Sequence, residues 1–226
     1  MKTKIKGAIF DMDGTLVDSL SYWGWLWNEL NDKYLHIDGF TVDEQVDKKV
    51  RTMIFVDAMA YVKEVYSISA GVDELVSFAL DGLETFYTTL VPVKEGAFAL
   101  LDYLKSNGVK ICLATATAMK YVKIAISHFG LDRYFDSVLS CDDLGVGKDK
   151  PDIYLSAISA LGLTAEDCCV FEDSYVALET AKSINCQTVG VFDKYNFCQD
   201  RLENASSVYY LREGEPLSLL IDKLEA

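Results

Sequence analysis

Gly7-Ala8-Ile9-Phe10-Asp11-Met12-Asp13-Gly14-Thr15-Leu16-Val17-Asp18-Ser19 is the stretch on which the fold turns. Its first four residues are apolar at every position, the pattern of a strand buried on both faces inside a parallel sheet. The run stops at two aspartates one residue apart, followed by a glycine suited to a turn. Three later runs end in the same way, in acidic or small polar residues: Val109 to Thr115, Cys168 to Asp173 and Thr188 to Asp193. Helical spacing fills the intervals over Glu95 to Ser106, Tyr121 to Phe129, Pro151 to Ala160 and Ser174 to Ile184. Strands alternating with helices predict an open parallel α/β sheet.

The alternation breaks between Leu20 and Leu90, where no strand pattern occurs and helices are predicted over Arg51 to Tyr66 and Val72 to Leu90. We expect a core of residues 1–17 and 91–226 interrupted by an all-helical insertion, 18–90. The insertion holds all three tryptophans; Leu20, Trp23, Trp27 and Leu30 share one helical face and read as its core, whereas Trp25 points elsewhere and is a candidate for substrate or interface contact. From Leu20 to Leu90 there are five basic residues (Lys33, Lys48, Lys49, Arg51, Lys63) against 12 acidic ones. Lys48, Lys49 and Arg51 are conceivable substrate contacts, although solvated surface is the simpler reading of each.

Acidity extends to the whole chain: 226 residues carry a formal charge of -14. That is the wrong sign for a nucleic-acid partner, which demands clustered Lys and Arg. Half of the residues are hydrophobic, so a folded core is expected rather than disorder. No apolar stretch reaches the roughly 18 residues of a membrane span, and the run after Lys2, Lys4 and Lys6 is cut short by Asp11, so no signal peptide is expected. The six cysteines lack metal-ligand spacing and several sit in apolar runs; they read as small core hydrophobes of a cytoplasmic protein. A monomer or weak dimer is expected.

The strand ends carry the chemistry. In open α/β sheets ligands gather where the strands terminate at their carboxyl ends. Asp11 and Asp13 stand at one such end, and Glu172, Asp173 and Ser174 at another. If the two strands are neighbours, the carboxylates repel one another and lose solvation unless a cation compensates. An oxygen-rich pocket of this kind suits Mg²⁺, which takes few protein carboxylates and fills its remaining positions with water and substrate phosphate. Thr115 can donate a hydroxyl hydrogen bond from a third strand end, and Lys148 can supply positive charge. Together these groups have what phosphoryl transfer requires: a carboxylate nucleophile, a neighbouring acid or base, and cations for the phosphoryl oxygens.

These residues resemble the haloacid dehalogenase superfamily, in its phosphatase and β-phosphoglucomutase-like branch with a helical cap inserted after the first strand. Asp11-Met12-Asp13-Gly14-Thr15 is similar to that family's first motif, Thr115 to its second, Lys148 to its third and Glu172-Asp173 to its fourth. The resemblance covers nearly the whole chain. It implies a Rossmann-like core, Asp11 as nucleophile, Asp13 as general acid and base, and Mg²⁺ held by Asp11, the Asp13 backbone carbonyl and Asp173, with Glu172 in support. Thr115, Ala116 and Lys148 would bind the phosphoryl group of a small phosphorylated metabolite. The third motif departs from the family pattern: in Lys148-Asp149-Lys150-Pro151-Asp152, spacing from Asp152 selects Lys148 and adjacency to proline selects Lys150, and we take spacing. Ala177 also stands where relatives often have glycine.

Several activities compete within and beyond that branch. A sugar phosphomutase of the same family is the close rival, but no Thr-x-x-x-x-His pattern follows Val17, which favours hydrolysis. Asp13 disfavours phosphonate cleavage, and the second aspartate with a metal site disfavours dehalogenation. A phospho-accepting signalling module would be about half as long and would lack the insertion; a silent binding protein would not fill every catalytic slot.

Overall fold

A computed structural model describes residues 3–51, 53 and 55–225. The strands are β1 (Thr3–Lys4), β2 (Gly7–Phe10), β3 (Lys110–Thr115), β4 (Ser137–Ser140), β5 (Cys168–Glu172), β6 (Gln187–Val191), β7 (Tyr209–Leu211) and β8 (Leu224–Glu225). The α-helices are α1 (Tyr22–Leu30), α2 (Glu44–Val50), α3 (Phe55–Val65), α4 (Val72–Thr89), α5 (Ala97–Ser106), α6 (Met119–Phe129), α7 (Cys141–Leu144), α8 (Asp152–Leu161), α9 (Tyr175–Ser183) and α10 (Gln199–Ala205). The chain forms two compact units, one of residues up to Leu20 with Val91 onward, the other Ser21–Leu90.

In the first unit, six strands make one parallel sheet in the order β4-β3-β2-β5-β6-β7, and β1 pairs with β8 in a small separate sheet. The strand carrying Asp11 and Asp13 therefore lies between the strand ending in Thr115 and the one ending in Glu172. Order departs from sequence after β2, as in Rossmann-like sheets whose ligand crevice opens where the direction of winding reverses. Alternation assigns the two faces. Ile9, Cys112, Ala114, Cys168 and Val170 join the buried cluster built with α8 and α9, while their neighbours Phe10, Ile111, Leu113 and Phe171 point the other way and are equally buried. Burial on both faces explains why these strands read as unbroken apolar runs.

The edge strands β4 and β7 do not stand out in the sequence. Both are short and half-exposed, so neither presents a long apolar run. Helix ends are better marked: Gly162 closes α8 in the left-handed region at φ 65°, a conformation that costs glycine nothing. Five cysteines are buried thiols and Cys198 is exposed, so the core reading fails for that one residue. Burial pushes the thiols of Cys112 and Cys168 up to about 12, which keeps them protonated and inert.

The helical unit corrects the reading of its aromatic residues. Trp25 is half-buried: its ring lies over Gly82 of α4, where a Cβ would come within 2.6 Å of it, and it packs 5.8 Å from Phe86. Trp27 is buried and donates its indole N–H to Asp47 at 2.7 Å, and Trp23 packs 5.9 Å from Phe55. Leu20 belongs to the other unit, beside Gly14. The basic residues are engaged locally: Lys48 pairs with Glu44, Lys49 sits 3.9 Å over the Tyr61 ring and Arg51 bonds Asp47 at 2.8 Å. The helix expected from Arg51 begins instead at Phe55; Thr52 and Ile54 lie outside the described residues.

One aromatic pair packs across the register of β2 and β5. Phe10 is aligned with Phe171, and their rings stack at 4.2 Å between centroids, fully buried. Phe171→Ala should lower stability by about 3–5 kcal/mol, the cost of an emptied aromatic site in a close-packed core. The shift of a urea midpoint measures it, and a loss below about 1 kcal/mol would show that the sheet can collapse around the gap.

Candidate active site

One residue beyond the Phe10–Phe171 pair, parallel register sets Asp11 beside Glu172. The Asp11 N–H donates to the carbonyl of Phe171 at 3.0 Å, carrying the ladder one step past the end of β2. Then the chain folds tightly: the carbonyl of Met12 accepts from Leu16 at 2.9 Å and Val17 at 3.0 Å, and the Gly14 N–H donates to Val17 at 2.8 Å. Gly14 stands at φ +81°, and a Cβ there would drive into the Asp173 carboxylate. Only glycine permits both the turn and that approach.

Asp11, Glu172 and Asp173 each offer a carboxylate oxygen, and the three lie within 4.8 Å of one another, all buried. Lys148 is the ammonium among them. Its Nζ donates to Asp11 Oδ1 and to Glu172 Oε2, the latter at 2.7 Å, with only 11% of its side chain exposed. Lys150, the alternative lysine, is exposed. Glu172 also accepts from the Ser174 N–H at 3.3 Å and the Tyr154 hydroxyl at 3.5 Å. Asp173 Oδ1 accepts from the Thr15 hydroxyl at 3.3 Å, and its Oδ2 from Asn196.

Asp13 stands apart from the three. Both of its carboxylate oxygens accept hydroxyl hydrogen bonds, one from Ser19 at 2.6 Å and one from Thr117 at 2.7 Å. Thr115 is buried at the end of β3, where its Oγ1 accepts from the Thr117 N–H at 3.1 Å. Ala116 is the exposed residue just beyond. The structure thus gathers Asp11, Glu172, Asp173 and Lys148 into one group, sets Asp13 two residues beyond Asp11, and places Thr115 and Ala116 at the end of the adjoining strand β3.

Ser19, Thr117, Thr15 and Asn196 are the additional groups that hold these carboxylates. Thr117 has a legible signal, since it follows Thr115 at i+2 off the same strand end. Asn196 lies in the loop beyond the run Thr188 to Asp193, a fourth strand end that carries no carboxylate pair and so gives less to notice.

Electrostatics follow from the crowding. Burial, then the Glu172 charge, raises the Asp11 carboxyl to about 8, against the pull of Lys148. The same two causes raise Asp173 well above the ordinary range. Burial works against the charge of Lys148, but Asp11 and Glu172 outweigh it and hold the ammonium well above its usual value. A hard divalent cation fits this donor set, because all the donors are oxygens and the carboxylates need positive charge beyond one lysine.

Comparison with known proteins identifies the family. A family model described as haloacid dehalogenase-like hydrolase matches residues 5–185. The chain belongs to that family. Among curated relatives, a phosphorylated carbohydrates phosphatase of Thermotoga maritima is 25% identical over 97% of this chain and 100% of its own length. A fructose-1-phosphate phosphatase of Escherichia coli is 26% identical over 84% of this chain and 98% of its own. Among solved structures, a Thermotoga maritima protein assigned provisionally as a beta-phosphoglucomutase superposes with a TM-score of 0.83 at 25% identity, covering 97% of this chain and 100% of that one.

Raised carboxyl values have a definite consequence for stability. A carboxyl that holds its proton more tightly when folded than its unfolded value of 3.8 makes stability fall as pH rises from that value through about 8. Lys148 contributes nothing to the slope in that window, because it is charged in both states below 10.5. In EDTA, the denaturation midpoint should therefore be lower at pH 8.5 than at pH 5.5, and Mg²⁺ should flatten the difference. A midpoint that rises with pH in EDTA would refute the uncompensated cluster.

Proposed function

We propose that this protein is a Mg²⁺-dependent phosphomonoester hydrolase that acts on a small phosphorylated metabolite through an aspartyl-phosphate intermediate. One observation carries the reading: three buried carboxylates, Asp11, Glu172 and Asp173, cluster at the ends of β2 and β5, two of them, Asp11 and Glu172, share the Lys148 ammonium, and Asp13 is held separately beside them. Membership of a hydrolase family, and relatives named as phosphatases of phosphorylated sugars, support it.

Asp11 is the nucleophile in this scheme. Its carboxylate oxygen attacks phosphorus, the phosphorus–oxygen bond of the ester breaks, and the leaving alkoxide takes a proton from Asp13. Asp13, now a carboxylate, removes a proton from water; the water oxygen attacks phosphorus, and inorganic phosphate leaves with Asp11 restored. Ser19 and Thr117 steady Asp13 through this cycle, because hydroxyls adapt to either protonation state by donating or accepting. Lys148 supplies positive charge to the phosphoryl oxygens and keeps Asp11 close to Glu172. Thr115 and Ala116 bind those oxygens in this scheme. Asp11, Asp173 and the Asp13 backbone carbonyl, with Glu172 in support, would hold Mg²⁺, which would supply the remaining charge neutralisation when bound.

A sugar phosphomutase is the second reading, favoured by the solved relative assigned provisionally as a beta-phosphoglucomutase. It differs in returning the phosphoryl group to a second hydroxyl of the sugar rather than to water. The acidic surface, net -14, argues for small monophosphates over nucleic acid. Among the described residues no helix is long and apolar enough to cross a membrane. We place the protein in the cytoplasm as a monomer or weak dimer.

Phosphate release from an aryl phosphate and from a panel of sugar and nucleotide monophosphates tests the reading, with β-glucose 1-phosphate as the substrate that exposes a mutase. Activity should vanish in EDTA, and Asp11→Asn should lose at least about 10³-fold in kcat, the scale expected for a nucleophile, while remaining folded. Wild-type protein that releases no phosphate across the panel and does not bind beryllium fluoride with Mg²⁺ would overturn the proposal.

A further inference from the structure

We propose that Asn196 is a positioning residue for the Asp173 carboxylate, fixing the orientation in which that group meets a divalent cation without adding charge to the site. The inference rests on the proposed binding of Mg²⁺ by the carboxylate group. Asn196 Nδ2 donates both to the Asp173 side chain, at Oδ2, and to the Asp173 main-chain carbonyl, at 3.0 Å. Two hydrogen bonds from one planar amide to two parts of one residue fix the side-chain rotation of Asp173 against its own backbone. Thr15 meets the opposite oxygen, Oδ1, at 3.3 Å.

Asn196 is itself held in place. Its N–H donates to the Asp193 carbonyl at 3.1 Å, and its own carbonyl accepts from Gln199 Nε2 at 3.2 Å. Gln199 also donates to the Asp193 carbonyl at 2.8 Å and accepts from the Tyr210 hydroxyl of β7 at 2.8 Å. Asp193, buried after β6, accepts the Tyr195 N–H at 2.9 Å through Oδ1 and the Lys94 ammonium at 3.2 Å through Oδ2. Lys94 in turn reaches Asp18 at 2.6 Å. The amide is thus presented by a loop tied to β7 and to Lys94, not by a free surface turn.

The chemistry of the donor matters as much as its placement. A lysine or arginine at this position would satisfy Asp173 more strongly, but its charge would oppose entry of a cation beside it. An amide orients the carboxylate and leaves its negative charge available. Partners of metal ligands that act in this way commonly govern affinity by 10-fold to 100-fold.

Calorimetric titration of Mg²⁺ alone into wild-type, Asn196→Ala and Asn196→Leu proteins tests the inference, with thermal melts run alongside. Both variants should bind Mg²⁺ about 10-fold or more weakly, and activity lost at low Mg²⁺ should return as Mg²⁺ is raised. A folded variant whose Mg²⁺ affinity stays within about twofold of wild type overturns the inference, even if its melting temperature falls, because Asn196 would then support only the loop. If neither variant folds, Gln199→Met, which releases the Asn196 backbone away from the carboxylates, should weaken Mg²⁺ binding, and unchanged binding overturns the inference. Wild-type protein that binds no Mg²⁺ refutes the metal reading and this inference together; wild-type binding matched by the variants refutes this inference alone.

Discussion

Everything at the site depends on the salt bridge from Lys148 to both Asp11 and Glu172. Parallel pairing of β2 with β5 places the two carboxylates side by side, and the stacked Phe10 and Phe171 rings pack across that register from below. A slip of one residue would turn Asp11 to the opposite face, so the sheet cannot relieve the repulsion by sliding. Buried like charges must then be neutralised by protonation, by the lysine or by a metal ion. Lys148 arrives from the segment between α7 and α8, far from either strand in sequence, so the ion pair also holds that segment to the strand ends.

The remaining carboxylates are held by neutral donors. Asp13 is fixed by two hydroxyls and Asp173 by a hydroxyl and an amide. Hydroxyls suit a group that gains and loses a proton, since they can reverse donor and acceptor roles. An amide N–H cannot, and it stands on the carboxylate proposed to remain ionised against a metal. The donor chemistry thus separates the roles proposed for the two aspartates more sharply than their positions do.

Strands buried on both faces were legible in the sequence because a central parallel strand must be apolar throughout, and Gly7 to Phe10 and Cys168 to Phe171 are. The acids that terminate them were legible for a related reason: a carboxylate at the end of such a run loses solvation and calls for a compensating partner. Edge strands β4 and β7, half-exposed and short, lacked that contrast. Asn196 and Thr117 were harder still, since a polar residue in a loop gains meaning only from what it touches, and their partners lie 23 and 104 residues away. The packing of Trp25 was not legible either, because helical periodicity does not show that a glycine on a neighbouring helix, Gly82, opens a slot for part of its ring.

The overall acidity and the proposed phosphate site are compatible because they act over different lengths. At physiological ionic strength exposed charges are screened beyond about 8 Å. A polyanion would have to lay many phosphates along the acidic surface, each repelled locally, with nothing to gain beyond the one that reaches the site. A monophosphate presents a single anionic group, and within one screening length of its binding position it meets Lys148 and the metal ion that the buried carboxylates would hold. On the proposed function the excess of acids would therefore select by size of the anion, and the four carboxylates at the strand ends would turn part of that excess into the attraction.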